Sequence, residues 1–249
     1  EELPCEVDNS VYPYLRPVFT QDGASCGQAA AVGYHFTYEI DRKREVPADL
    51  PRNQYPTHFT WNFMNSGYYN DQYYGSGVSY FHSFSILKEL GCPNVADYGG
   101  MWMRGDSTRW MTGYDKYFNS MKNRIEGLYS IDVDTPEGLS VLKHWIYDHL
   151  DGSEVGGVAN FYAGIIFPYT LPEGTPEAGH AVMIKWASIA THAMTVVGYN
   201  DSVRFDYNGD GAYTNDLDLN QEGMISMKDW EIGGLKFVNS YGPDWGTNG

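Results

Sequence analysis

The chain has 249 residues, with 32 Asp and Glu against 16 Lys and Arg, a formal charge of −16. Phosphate backbones are bound through Lys and Arg that release counterions, so this balance argues against nucleic acid and against an anionic membrane surface as partners. Hydrophobic residues at 42% and aromatics at 16% supply a large core, which argues against disorder. No stretch reaches the about 18 apolar residues of a membrane span.

In chain order, residues 28–43 place Ala29, Val32, Phe36 and Ile40 at helical spacing. Residues 84–90 continue a second helix that stops at Gly91 with Pro93 beyond, and residues 137–150 form a third with Leu139, Leu142, Ile146 and Leu150 on one face. After that the pattern changes. Residues 156–161, 181–186, 193–199 and 235–239 are short branched or aromatic runs that predict antiparallel strands. Helices followed by strands predict an α+β fold of two lobes, about 1–150 helical and about 151–249 β, within one domain, and a cleft between such lobes is a natural site.

The three cysteines, Cys5, Cys26 and Cys92, form neither a disulfide framework nor a metal pair, and the odd count leaves at least one thiol free. Cys26 lies in Gln21-Asp-Gly-Ala-Ser-Cys26-Gly27-Gln-Ala-Ala, a glycine-bearing loop running into a helix. A thiol at a helix N-terminus feels the positive end of the dipole and unpaired N–H groups, both of which favour thiolate. Far along the chain, Thr191-His192-Ala-Met-Thr-Val-Val-Gly198-Tyr199 starts a strand with a histidine, and Phe237-Val-Asn239-Ser-Tyr241-Gly-Pro-Asp-Trp245-Gly ends one with an asparagine. Taken singly these are ordinary core or turn residues. In the order Cys, His, Asn they match thiol catalysis, in which the sulfur attacks, the imidazole moves the proton and the amide orients the ring.

On these motifs the chain resembles the papain-like cysteine peptidases. The resemblance implies a papain-like fold with a helical left lobe and an antiparallel, barrel-like right lobe. It implies Cys26 as nucleophile, His192 as base, Asn239 as its orienting partner and Gln21 as oxyanion donor. Tyr241 and Trp245 would form the aromatic screen, and Ser76 and Gly77 the backbone that pairs with an extended substrate. A protein or peptide substrate, a propeptide or second cleaved fragment, and a secreted or periplasmic bacterial setting are implied too. In the family more of the right lobe follows the position of Gly249, so the domain is expected to continue beyond it. The pattern departs from the family in holding Gly23 and Gly27 where a Cys and a Trp are usual, in a Gln-to-Cys spacing one residue shorter, and in Tyr241 for Trp. A second alignment puts Cys26 at the family's disulfide position and Ala29 at the nucleophile, which would mean either a catalytically inactive, calcium-stabilised binding protein or a chain whose nucleophilic Cys had been replaced by Ala. His180, in Gly-His-Ala-Val, lacks the downstream Val-Gly-Tyr and reads as a loop residue.

His192 and Asn239 stand 47 positions apart, longer than the family norm. The excess, within an acidic insertion at 201–231, holds two runs with the spacing of a calcium loop. In the second, Asp218, Asn220 and Glu222 stand at positions 1, 3 and 5, Gly223 at 6, Met224 at 7 with its carbonyl, and Asp229 at 12, as in dockerins. In the first, Asp206, Asn208, Asp210, Gly211 and Ala212 repeat the opening, but position 12 is Leu217, so Asp216 or Asp218 would have to complete it. One Ca2+ is expected at the second loop and a second Ca2+ at the first, in a structural role, because a metal clip offsets the entropy of ordering the insertion.

Overall fold

The computed structural model describes residues 2–64, 77–101, 110–166 and 168–249. A short strand β1 (Glu6–Asp8) leads through a loop to a long helical rod. The rod runs as α1 (Cys26–Gln28), a π-helical stretch (Ala29–Phe36) and α2 (Thr37–Arg44). The Thr37 hydroxyl donates to the Val32 carbonyl at 3.1 Å and accepts the Tyr55 N–H at 3.3 Å, a side-chain insertion at the end of the wide turns. Helices α3 (Thr57–Trp61), α4 (Tyr80–Glu89), α5 (Val95–Tyr98), α6 (Tyr114–Ser120) and α7 (Pro136–Asp148) follow. Their starts have local causes. Ser79, Asn94 and Thr135 each cap the first turn with a side-chain oxygen, and Pro136 opens α7 where no N–H is needed.

The strands after α7 are β2 (Ala159–Gly164), β3 (Tyr169–Thr170), β4 (Ala181–Val182), β5 (Ala187–Arg204) and β6 (Ile232–Val238). β5 is the spine of the main sheet. It pairs antiparallel with β2 (Ala159↔Val196, Ala163↔His192), with β1 (Asp8↔Gly198) and with β6 (Val238↔Thr195). β3 and β4 form a separate two-stranded ladder. Gly198 is where β1 comes close: a Cβ there would stand 2.3 Å from the Val7 carbonyl oxygen. These strands correct the expected ones in detail. The 193–199 run is the centre of an 18-residue strand whose first five residues are exposed, and 181–186 pairs only through Ala181–Val182. β1 carries too little apolar pattern to be read as a strand; it forms because β5 offers it an edge.

The rod is buried on two sides. Ala30, Ala31 and Phe36 pack with Phe59, Phe84 and Leu87 of the helical side, while Ala29, Tyr34 and Tyr38 pack with Val158, Val197 and Val238 of the sheet. α7 covers the sheet through Leu142 and Ile146 against Val196 and Tyr199. No helix among the described residues is long and apolar enough to cross a membrane.

One buried group gives the rod a pH dependence. Asp41 is fully buried and neither carboxylate oxygen has a hydrogen-bond partner among the described residues, so burial pushes its pKa up to about 8 against a smaller pull from Arg44. A folded pKa above the unfolded value means the folded state binds the extra proton. The resulting stability is fully present below about pH 4 and is lost as pH rises to about 8. Asp41→Asn is therefore expected to raise Tm at pH 8 by at least about 3 °C and to do much less at pH 4. Parallel melting curves for the two chains across that range would contradict it.

Candidate active site

Cys26 opens the rod half-buried, with the N–H groups of Gln28 and Ala29 turned back onto the Ser25 carbonyl at 3.0 and 2.8 Å. Ser25 fixes the approach by donating its hydroxyl to the Asp22 carbonyl at 2.8 Å. The sulfur lies 4.0 Å from the carbonyl oxygen of Thr191, the residue before His192. The sheet thus brings the histidine of β5 to the start of the helix. The adjacent strand supplies the third group: His192 Nε2 meets Asn239 Oδ1 at 2.8 Å. The same oxygen accepts the Ser240 backbone N–H at 2.7 Å, which fixes it as the oxygen of the amide and makes Nε2 the protonated nitrogen. Burial pushes the His192 pKa below the usual imidazole range, and the bond with Asn239 draws it part of the way back. Asn239 is completely buried, and its main-chain carbonyl accepts the Tyr34 hydroxyl at 2.9 Å, tying β6 to the rod.

Gln21 is clamped beside this pair. Its backbone N–H donates to the Ser240 carbonyl at 2.8 Å, its Oε1 accepts the Ser240 hydroxyl at 2.7 Å, and its Nε2 donates to the Gly23 carbonyl at 2.9 Å. Tyr241 lies over the imidazole, with ring centroids 4.6 Å apart and its hydroxyl 3.3 Å from His192 Nδ1, and Trp245 meets Tyr241 edge-on at 6.0 Å. Gly77 is exposed and borders a small hollow with Met64, Val78, Ser79 and His82, while Ser76 lies outside the described residues. Gly27 explains one departure from the family pattern. A Cβ there would stand 2.4 Å from the Val78 carbonyl oxygen, so no larger side chain fits behind the thiol. Ala29, the nucleophile position of the second alignment, is fully buried between the rod and the sheet. Of the other thiols, Cys5 is exposed at 2.9 Å from the Ser202 hydroxyl, and burial holds the Cys92 pKa well above its usual value. His180 is exposed and pairs with Glu177 at 3.2 Å.

A hollow of roughly 2110 Å³ lies elsewhere, lined by residues such as Phe84, Trp145, Trp186 and Phe237; neither Cys26 nor His192 borders it.

Compared with known proteins, the chain matches no family model and no curated protein. Solved structures do match. It is similar over its full length to digestive procathepsin L 3 of Tenebrio molitor larval midgut (14% identity, TM-score 0.58, 64% of that chain). Procathepsin L2 proteinase of the same insect (13%, 0.58, 62% of that chain) and xylellain, a cysteine protease from Xylella fastidiosa (17%, 0.58, 78% of that chain), are similar in the same way. The fold is papain-like. The chain spans less than two thirds of the length of the two procathepsins.

The papain-like frame leaves the acidic insertion to be read on its own terms. Asp206 accepts the N–H groups of Gly209 (2.6 Å), Asp210 (3.2 Å) and Gly211 (2.8 Å), and Asp218 accepts those of Glu222 (3.1 Å) and Gly223 (2.8 Å). Asn208 and Asn220 each accept the N–H two residues on, from Asp210 and Glu222, both at 2.9 Å. Asp210 takes the Ala212 N–H at 2.8 Å, which, with the Asn208 side chain, holds its pKa low. Asp229 accepts Leu219 N–H at 2.9 Å and Ser226 N–H at 2.8 Å, the second and ninth residues of its loop. Glu231, nearly fully buried, accepts Tyr207 N–H at 2.7 Å and Thr214 N–H at 3.0 Å, the second and ninth residues of the first loop. Glu231 thus stands for the first loop where Asp229 stands for the second. Of the two residues expected to complete the first loop, Asp218 accepts N–H groups of its own loop and Asp216 is exposed. Linear spacing does not reveal Glu231, because it reaches the first loop across the second. The Met224 side chain is exposed, leaving only its carbonyl for a cation. Among the described residues no three His, Cys, Asp or Glu side chains converge as a metal site.

Proposed function

We propose that this protein is a cysteine endopeptidase in which Cys26 attacks the peptide carbonyl and His192 carries the proton. The carrying observation is the His192–Asn239 bond at 2.8 Å with the Cys26 sulfur one residue away, beside Thr191. In this reading the Cys26 S–H proton passes to His192 Nδ1. The thiolate attacks, and Gln21 Nε2 with the Cys26 N–H bears the charge on the oxygen. His192 then returns the proton to the leaving amine, and water hydrolyses the acyl-enzyme. Asn239 keeps the ring in the Nε2–H tautomer throughout. Gly77, beside the segment that Gly27 abuts, pairs with the substrate backbone. Hydrolysis of an unfolded protein substrate by the native chain but not by Cys26→Ala tests the reading. The inactive binding-protein reading has less in its favour, since Ala29 is sealed in the core while Cys26 faces the histidine strand.

Calcium is the second part of the proposal. The donor chemistry fits a hard cation: Asp206, Asn208, Asp210, the Ala212 carbonyl and Glu231 for one loop, and Asp218, Asn220, Glu222, the Met224 carbonyl and Asp229 for the other. The loops' own N–H groups hold Asp206 and Asp218 toward each loop interior, and an ion would draw Asp210 and Glu222 inward. Bound calcium would offset much of the negative charge of the acidic insertion and hold β5 and β6 in register. Such loops suit the higher calcium of a secreted or periplasmic protein. Chelation with EDTA is expected to lower Tm, and millimolar Ca2+ to restore it by mass action, about 2.7 kcal/mol at a hundredfold excess over Kd. An unchanged Tm in both directions would remove calcium from the proposal.

A further inference from the structure

We infer that the Tyr241 hydroxyl is a cap on His192, occupying the nitrogen that Cys26 needs and holding the thiol and imidazole apart until substrate displaces it. This rests on the peptidase reading and goes beyond it, since an aromatic screen requires no hydroxyl. Asn239 Oδ1 is identified as oxygen by the Ser240 N–H it accepts at 2.7 Å, so it takes a proton from Nε2. In the neutral ring the lone pair is then on Nδ1. Tyr241 Oη stands 3.3 Å from that lone pair and is the donor. Burial and the neighbouring Cys26 both raise the Tyr241 pKa, so the phenol keeps its proton. The only hydrogen-bond partner of the Cys26 sulfur among the described residues is the Thr191 carbonyl at 4.0 Å, and His192 is not one. Among the described residues, Tyr241 from the segment after β6 stands against His192 Nδ1, and Cys26 of the rod lies beside Tyr241 and beside Thr191, the residue before His192; Asp22, in the loop before the rod, is directed to His58 at 4.0 Å.

The cap can open without moving the backbone. Tyr241 is bridged to Thr20 through its main chain, while its side chain is 42% exposed. When the ring swings out, the Cys26 S–H bond breaks, the proton goes to Nδ1, and the sulfur keeps the electron pair. Tyr241 gains and loses nothing in this step, so it is a positioning residue.

The test is alkylation of the full chain by iodoacetamide, with Cys26 and Cys5 followed separately by peptide mass between pH 5 and 9. Cys5, exposed and remote in sequence, is the internal standard. In the native chain Cys26 is expected to follow the pH profile of Cys5. In Tyr241→Phe, which keeps the ring and removes the hydroxyl, Cys26 at pH 5.5 is expected to react at least about tenfold faster relative to Cys5, because a thiolate–imidazolium pair now persists. The gain should vanish in Tyr241→Phe with His192→Ala. A Tyr241→Phe profile identical to native overturns the cap. If acid reactivity is then already high in the native chain and depends on His192, the peptidase reading stands without the cap; if His192 has no effect in either background, both fall.

Discussion

Cys26→Ala is expected to hydrolyse an unfolded protein substrate at least about 10³-fold more slowly than the native chain, with Tm unchanged within about 2 °C. The sulfur forms the covalent bond in the proposed mechanism, and no other thiol can replace it: Cys92 is sealed in the core and Cys5 is bonded to Ser202 at the far end of β5. Structurally the Cys26 side chain contributes little, since it is half-buried and its sulfur's one hydrogen bond among the described residues, to Thr191, is long at 4.0 Å. His192→Ala should lose activity on a similar scale and also stability. His192 is 6% exposed, and its removal leaves the fully buried Asn239 oxygen with only the Ser240 N–H, at about 1–3 kcal/mol. The two variants therefore separate chemistry from architecture. Retained hydrolysis in Cys26→Ala would end the thiol mechanism.

The second large effect falls on Gly27. An added Cβ would meet the Val78 carbonyl oxygen at 2.4 Å, a backbone atom that cannot rotate away. The same carbonyl accepts Gln28 Nε2 at 3.1 Å, so relief of the clash stretches that bond as well. Gly27→Ala is expected to cost about 1–3 kcal/mol and to lower Tm by several degrees. Because Gly77 adjoins Val78, KM for peptide should rise more than kcat falls. Gly77→Ala is the control: none of the described residues lies within 4 Å of the added methyl, and Tm should not move. Equal stability of the two variants would show that the 77–79 segment gives way freely.

The residues that were legible in the sequence share one property: their role is written locally. The rod, α4 and α7 follow from 3.6-residue periodicity ended by turn residues; Cys26 and Asn239 stand out because one opens an element and the other closes one, and His192 because it heads the apolar run that forms the buried part of β5. What was not legible depends on the partner. β1 exists because β5 has an unpaired edge beyond the reach of β2. The ends of β5 lack an apolar pattern because they are exposed. Gly27 looks like a lost tryptophan until Val78 is placed against it. Glu231 serves a loop that begins 25 residues earlier, at Asp206. Tyr241 reads as a lid, and only the imidazole tautomer shows what its hydroxyl does.

Tyr34 ties the rod to β6 through a bond to the Asn239 carbonyl that spans 205 positions, and Cys26 meets Thr191 across 165. Closing loops of that length costs entropy that only the finished sheet returns, so these contacts form late in folding. In the proposed mechanism a chain still emerging from the ribosome would hold Cys26 without His192 or Asn239, and one that has lost everything from β6 onward would lack Asn239. A peptidase of the proposed design would stay inactive until nearly the whole sheet had been built.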